Sequence, residues 1–262
     1  MKIGTIDSVW RYPVKGMRGE EVPYIYTSYT GLMGDRIYGV VAADGDPGHP
    51  WHTGRNQEEF LLYKANYQSS DELLLPDNLD ATYSEWEPGI DPLYPDSDAF
   101  KVTVKTPDGV IYDDIEGGTF ITDLEKLTGR SLRIHTTQRG IFDARPVSIF
   151  SLSAAAKLSE ELKMDIDKRR FRANFYVDWN NQDDPFYENT LVGKTLKIGE
   201  WLEVVIVERD PRCIMITLDP DTAEATPKLL QHVSRKHDGD AGVFAAVLRR
   251  GRVNKGDSIF LK

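Results

Sequence analysis

LVGKTLKIGEWLEVVIVERD, Leu191 to Asp210, runs straight into PRC, Pro211 to Cys213, and the reading of this stretch decides the fold. Gly193 and Gly199 mark turns, and WLEVVIVER has the β-branched density of a strand. The Asp-Pro pair breaks that strand and delivers Arg212 and Cys213 to a loop at its end, where functional side chains concentrate. Cys213 is the only cysteine of the chain. A free cysteine commonly behaves as a small buried hydrophobe, so the sulfur reads either as core or as chemistry. Arg212 beside it favours the thiolate, the form that ligates soft metals or attacks as a nucleophile.

Further along the chain, KLLQHVSRKH is a candidate helix, and GVFAAVLRRGRVNKGDSIFLK reads as two strands joined by a turn near Val253 to Asp257. Working back, DKRRFRANFYVDW passes from loop into strand, and Ser151 or Ser153 caps a helix over LSAAAKLSEEL. FITDLEKLTG predicts a short helix with Thr122 as its N-cap and Gly129 as its stop. Ahead of it lie strand-like runs: IGTIDSVWRYPV, GEEVPYIYTSYTGLMGDRIYGVVAAD broken at Gly31 and Gly34, FLLYKANYQ, DELLLP, and AFKVTVKTPDGVIYDD. The last predicts a hairpin around Pro107-Asp108-Gly109, and DGDPGHP, Asp44 to Pro50, is a dense turn signal. These runs predict a mainly β (α+β) chain of two β-rich halves, with a few helices, meeting near residue 130.

At 262 residues the chain is long enough for one large domain or two small ones. With 40% hydrophobic residues, 28% charged and five tryptophans, it has the composition of a folded globular protein. A formal net charge of −10 argues against a general affinity for nucleic acid or for an anionic membrane, but leaves room for a local basic pocket. One cysteine excludes an internal disulfide, a Cys-rich zinc site and a four-thiolate iron–sulfur cluster. The amino terminus shows no apolar signal core, and no run of about 20 apolar residues appears, so a cytoplasmic protein is expected.

The candidates for chemistry are mostly basic. Arg36 in GDRIYG, Arg55 in HTGRNQ, Arg169, Arg170 and Arg172 in DKRRFRANF, and Arg212 fall near predicted strand ends of an acidic protein. A guanidinium fork suits bidentate binding of phosphate, although for DKRR taken alone a solvated charge run is the better account. On an extended strand Arg172 and Asn174 face the same side and would converge on one ligand. Lys15 in YPVKGM follows a strand, with Gly16 permitting close backbone approach, or is a surface lysine in a turn. None of the five histidines (His49, His52, His135, His232, His237) falls in a catalytic local motif, which leaves a Cys–His pair open. His49 and His52 have a spacing that zinc could use but no third ligand nearby, and read as loop surface. Asp219-Pro220 reads as turn and scaffold.

Together these segments resemble, in order and spacing, the molybdenum-cofactor sulfurase C-terminal (MOSC) superfamily, in its two-part form of the amidoxime-reducing type. YPVKGM, GLMGDRIYGVV and HTGRNQEEFLLYKA carry the resemblance in residues 1–130, expected as a β-barrel-like N-terminal domain. RPVSIFSLSAAAKLSEEL, KRRFRANFYVD, LVGKTLKIGE, RCIMITLDPDT and GVFAAVLRRGRVNKGDSIFLK carry it in residues 131–262, expected as the MOSC β-barrel domain. The resemblance implies a molybdopterin-type molybdenum cofactor, with Cys213 as protein ligand to molybdenum. It also implies that Lys15, Arg36, Arg172, Asn174 and Arg212 hold the pterin and its phosphate, joined by Ser151 at a helix start. The implied activity is reduction of N-hydroxylated small molecules by oxygen-atom transfer, with electrons from a separate donor protein. A non-redox carrier of the cofactor or of sulfur on Cys213 is the alternative. The chain departs from the family pattern at Gly16, where Ser is frequent, and at EEF, where Pro-Arg-Leu is common.

Overall fold

Burial alternates along Lys2–Arg11, as a strand with one face on a core requires, and this first strand (β1) closes a barrel made otherwise by the far half of the chain. The computed structural model describes residues 1–83 and 91–262. After β1 come β2 (Glu20–Val22), β3 (Tyr24–Ser28), β4 (Gly31–Leu32), β5 (Tyr38–Asp46) and β6 (His49–His52). They are followed by β7 (Lys64–Tyr67), β8 (Val102–Lys105), β9 (Ile111–Tyr112), the helix α1 (Thr119–Thr128) and β10 (Leu132–Thr136). Then follow β11 (Val147–Ser151), α2 (Leu152–Leu162), β12 (Phe175–Trp179), β13 (Thr195–Ile198) and β14 (Leu202–Pro211). The helix α3 (Pro227–Lys236) and strands β15 (Asp240–Arg249), β16 (Gly251–Asn254) and β17 (Ser258–Leu261) complete the chain.

Seven strands close in the order β12-β11-β15-β14-β13-β17-β1, with β1 returning to β12 and β2 branching from β1. Neighbours are antiparallel except β11 and β12, whose parallel pairing needs a crossover that α2 provides. The barrel is filled by one apolar cluster including Val147, Ile149, Phe175, Val177, Leu196, Ile198, Val204, Ile206, Val243 and Ile259, all fully buried. Each such side chain contributes about 1.5–3 kcal/mol on burial, so the closed barrel is the mechanical reference for everything attached to it. A second cluster around Val14, Met17, Phe60, Val104 and Phe120 is surrounded by three three-stranded sheets, β10-β5-β6, β16-β3-β4 and β7-β8-β9. A third holds α2 and α3 against the barrel's outside through Leu158, Leu229 and Val233, with Phe150 and Tyr176.

Strand pairing crosses the expected division at residue 130 in both directions. Strand β1 belongs to the barrel, whereas β10 pairs with β5 and β16 pairs with β3. Three local expectations are corrected. Thr122 lies inside α1, donating its N–H to Gly118 O, and the N-cap is Gly118 in a left-handed conformation; Gly129 does stop the helix. DELLLP and the FLL of FLLYKANYQ are 3₁₀ turns, because short apolar runs carry no period that separates strand from buried turn. The last 21 residues form parts of three strands, the chain leaving the barrel at Arg250 so that β16 can pair with β3. Ser151 is the N-cap of α2, its hydroxyl accepting from Ala154 N. Among the described residues no helix is long and apolar enough to cross a membrane.

Candidate functional site

A cavity of about 270 Å³ opens where one end of the barrel meets the smaller sheets. Six segments far apart in sequence supply most of its wall: the loop of Lys15, the loop of Arg36, the turn of Thr53 and Arg55, residues 142–145, the stretch from Arg170 to Asn174, and the end of β14 with Cys213. Lys15, Arg36, Arg55, Arg145, Arg170, Arg172 and Arg212 line it against only Asp143 and Asp210. In a chain of net charge −10 this is a local reversal of sign, and one that focuses an anion into the cleft.

Cys213 caps a short 3₁₀ turn over Ile214–Thr217, directly after β14 ends, and its half-buried sulfur faces the cavity. Arg55 Nη2 lies 3.2 Å from Sγ and donates to it. Thus the loop placement expected from PRC is what exposes the sulfur. The arginine touching it comes from the other half of the chain.

Arg212 is buried beside Cys213. Its Nε donates to Ala241 O at 2.5 Å, and its Nη1 donates to Phe171 O at 3.0 Å and pairs with Asp210 at 2.8 Å. Its Nη2 is buried with no hydrogen-bond partner. A Cβ on Gly242 would stand 2.9 Å from that nitrogen and 2.7 Å from Ile149 O, and Gly242 holds φ +86, so glycine keeps the space around Nη2 open. Burial raises Asp210 to about 6 even though Arg212 and Arg36 oppose the shift.

Arg36 and Arg172 both lie over the ring of Tyr12, each guanidinium carbon 4.4 Å from its centroid. Arg36 is ion-paired with Asp35 and donates to Arg172 O at 3.0 Å. Arg172 has no ion pair or side-chain hydrogen bond among the described residues, and burial, helped by Arg36, weakens its hold on its proton. Its convergence with Asn174 does not come from strand alternation. Arg172 ends a 3₁₀ turn at φ +51, a left-handed bend that turns its side chain into the cavity.

Asn174 reaches the cavity wall but is already saturated: its Oδ1 accepts from Ser148 N and Oγ, and its Nδ2 donates to Asp35 and to Trp10 O. Lys15 is held at the cavity by Ile141 O at 2.9 Å and Asp143 at 2.7 Å, and burial lowers its pKa. Gly16, at φ +86, allows that loop to lie against Thr53, where a Cβ would approach within 2.9 Å. Ser151 does not line the cavity. It lies at the opposite end of β11 from Ser148, fully buried, donating to Glu188 at 2.9 Å. Three residues of strand span about 10 Å, which carries Ser151 out of reach of a ligand that Ser148 faces.

Sequence reasoning had named Arg55 without giving it a role. Asp143, Ser148 and Tyr12 carry no local mark of a site residue, and Asp210 reads locally only as half of a strand-breaking Asp-Pro pair. His49 stands 3.7 Å from Asp143 at the rim, and His52 is buried against Gln57; the two share no ligand geometry. Asp219 binds Arg170 and accepts from Asp221 N and Thr222 N, the arrangement of a structural turn.

Fold and cavity define a two-part, barrel-based protein that presents one thiol among guanidinium groups at the junction of its parts. The chain belongs to the MOSC family: the MOSC domain matches residues 131–260 and the MOSC N-terminal beta barrel domain matches residues 3–87. It is 23% identical to mitochondrial amidoxime reducing component 2 of Bos taurus over 252 residues, covering 84% of this chain and 68% of that protein. It is 24% identical to the molybdenum cofactor sulfurase of Caenorhabditis briggsae, across 97% of this chain but 35% of the sulfurase. Among solved structures the YuaD protein of Bacillus subtilis superposes with a TM-score of 0.49 at 16% identity, covering 98% of this chain and 94% of that one.

Proposed function

We propose that the chain is a molybdenum-cofactor-binding oxidoreductase that reduces N-hydroxylated compounds, with Cys213 as the protein ligand to the metal. The observation that carries this reading is the pairing of an accessible thiol with a buried donor that lacks a partner, Arg212 Nη2, in a cavity also lined by the Arg172 guanidinium. An unsatisfied buried donor costs about 1–3 kcal/mol, so a ligand with anionic oxygens fits this wall. A pterin phosphate offers that chemistry, and a soft thiolate suits molybdenum.

When bound, the cofactor supplies two-electron oxygen-atom chemistry, by which an N–OH group takes up two electrons and two protons to give N–H and water. The residues of the chain do the rest. Cys213 provides the sulfur ligand, and Arg55 donates to it at 3.2 Å. Arg172 and Arg212 bind the anionic end, while ion pairs with Asp35 and Asp143 fix Arg36 and Lys15 before ligand arrives. Such preorganisation lowers the cost of binding. Asp210, titrating near 6, can hold or release a proton at the cavity wall. Electrons come from a separate donor protein in this reading.

Expression in a molybdopterin-competent host, followed by metal analysis, pterin fluorescence and amidoxime reduction with a reduced artificial donor, tests the proposal. One molybdenum per chain and turnover lost in Cys213→Ala are expected. A folded protein with neither metal nor pterin would sink it. Alignment with the sulfurase over nearly the whole chain favours, as a second reading, a carrier of cofactor or sulfur on Cys213. Transfer of bound cofactor to an apo-acceptor, without amidoxime reduction, would select that reading.

A further inference from the structure

On the outer side of the barrel, away from the cavity lining, Glu161 near the end of α2 meets two histidines from the end of α3. His232 Nε2 lies 2.7 Å and His237 Nε2 2.8 Å from the same carboxylate oxygen, Oε2 of Glu161. All three side chains are partly buried, and their ligand atoms lie within 4.8 Å of one another. We propose that this trio is a divalent transition-metal site that takes Zn²⁺, with water completing the coordination.

The chemistry matches. Two imidazole nitrogens and one carboxylate oxygen are a ligand set that zinc accepts, leaving a fourth position open. With ligand bonds of about 2.0–2.1 Å, tetrahedral donor atoms stand about 3.4 Å apart, so each present contact needs to open by roughly half an ångström. Rotation of three partly exposed side chains provides that. Lys157 approaches the other carboxylate oxygen only to 3.9 Å and is bound at 2.9 Å to Glu160, so it does not occupy the metal position.

The spacing of the histidines conceals the site in the sequence. Five residues along a continuous helix place side chains about 140° apart. Here α3 ends at Lys236, and His237 departs from helical geometry (φ −130, ψ 29), which swings its ring back beside His232; Phe186 packs on it at 4.4 Å. A metal would therefore pin the end of α3 to α2. The turn that follows binds Arg212: Gly239 O accepts from its N–H at 2.8 Å, and Ala241 O from its Nε. The site thereby supports the cavity wall without touching it.

The test uses full-length Cys213→Ser protein stripped with a chelator, so that the thiol contributes no binding. Titration with Zn²⁺ by calorimetry should give one equivalent per chain and a raised Tm. Co²⁺ should show ligand-field bands that saturate at one equivalent. Glu161→Gln or His237→Asn should weaken binding at least tenfold. On intact side chains, long-range ¹H–¹⁵N spectra should move only the His232 and His237 ring nitrogens to metal-ligated positions, a readout that needs no variant at the site. Absence of stoichiometric binding at submillimolar Zn²⁺, affinity unchanged by Glu161→Gln, or shifts at other histidines would overturn the proposal.

Discussion

Arg172 and Asn174 stand two positions apart and meet the same cavity, yet only one has hydrogen-bonding capacity to spare. Arg172→Ala removes a guanidinium with no protein anion of its own, so it should leave the denaturation midpoint nearly unchanged. Retention of an anionic ligand should fall ten- to a hundredfold, on the scale of about 1–3 kcal/mol for a charged hydrogen bond; equilibrium dialysis of pyrophosphate or of the cofactor reads this. Asn174→Ala should do the reverse, because Ser148 and the buried Asp35 lose their partner: about 1–3 kcal/mol of stability lost in urea. Equal loss of ligand in both variants, at equal stability, would refute the distinction. At Gly242 an added methyl meets Ile149 O and Arg212 Nη2 in a left-handed backbone, so Gly242→Ala should cost about 1–3 kcal/mol and close the space beside the unpartnered nitrogen.

The strand–helix unit of β11 and α2 shows how one element serves the fold at one end and the cavity at the other. Ser151 caps α2 and donates to Glu188, so Ser151→Ala should lower stability by about 0.5–2 kcal/mol while leaving ligand retention intact, measured by urea denaturation beside the dialysis above. Loss of ligand at full stability would return Ser151 to the site. Glu188 accepts from Ser151 and from Trp179 Nε1 at 3.1 Å, but burial outweighs these bonds and lifts its pKa from 4.5 to about 7. The folded state therefore binds a proton that the unfolded chain releases. The stability this proton adds is fully present below about pH 4.5 and is lost as pH rises through about 7. Glu188→Gln, which removes the titrating group, should flatten that fall of roughly 2–3 kcal/mol in urea midpoints taken from pH 4.5 to 8. An unchanged pH profile would show that Glu188 is already ionised.

For the whole molecule, the interleaving of the two halves matters more than the boundary between them. Since β1 fills the gap between β17 and β12, a fragment of residues 131–262 has an open barrel with two unpaired edges and an exposed apolar interior. It should fail to unfold cooperatively and should aggregate, and adding residues 1–11 as a peptide should restore a sharp transition; a stable, monomeric fragment would contradict this. The same interleaving brings Lys15, Arg36 and Arg55 to Cys213. Much of this was legible in the chain: the strand ending at Pro211, the hairpin at Pro107-Asp108-Gly109, the cap at Ser151, and the stop at Gly129 all follow from nearest-neighbour chemistry. Thr122 and DELLLP were misread for the same reason, since local preference yields to packing where a segment is short. By itself the sequence determined that a lone thiol sits in a loop after a strand, in an acidic protein with arginines near its strand ends. Only the tertiary structure decided which polar groups are already spent and which remain open. Asn174 and Ser151 are satisfied inside, Arg172 and Arg212 keep free donors, and Glu161 gathers one histidine from α3 and one from just past its end, because each partner is supplied by long-range packing that no local pattern encodes.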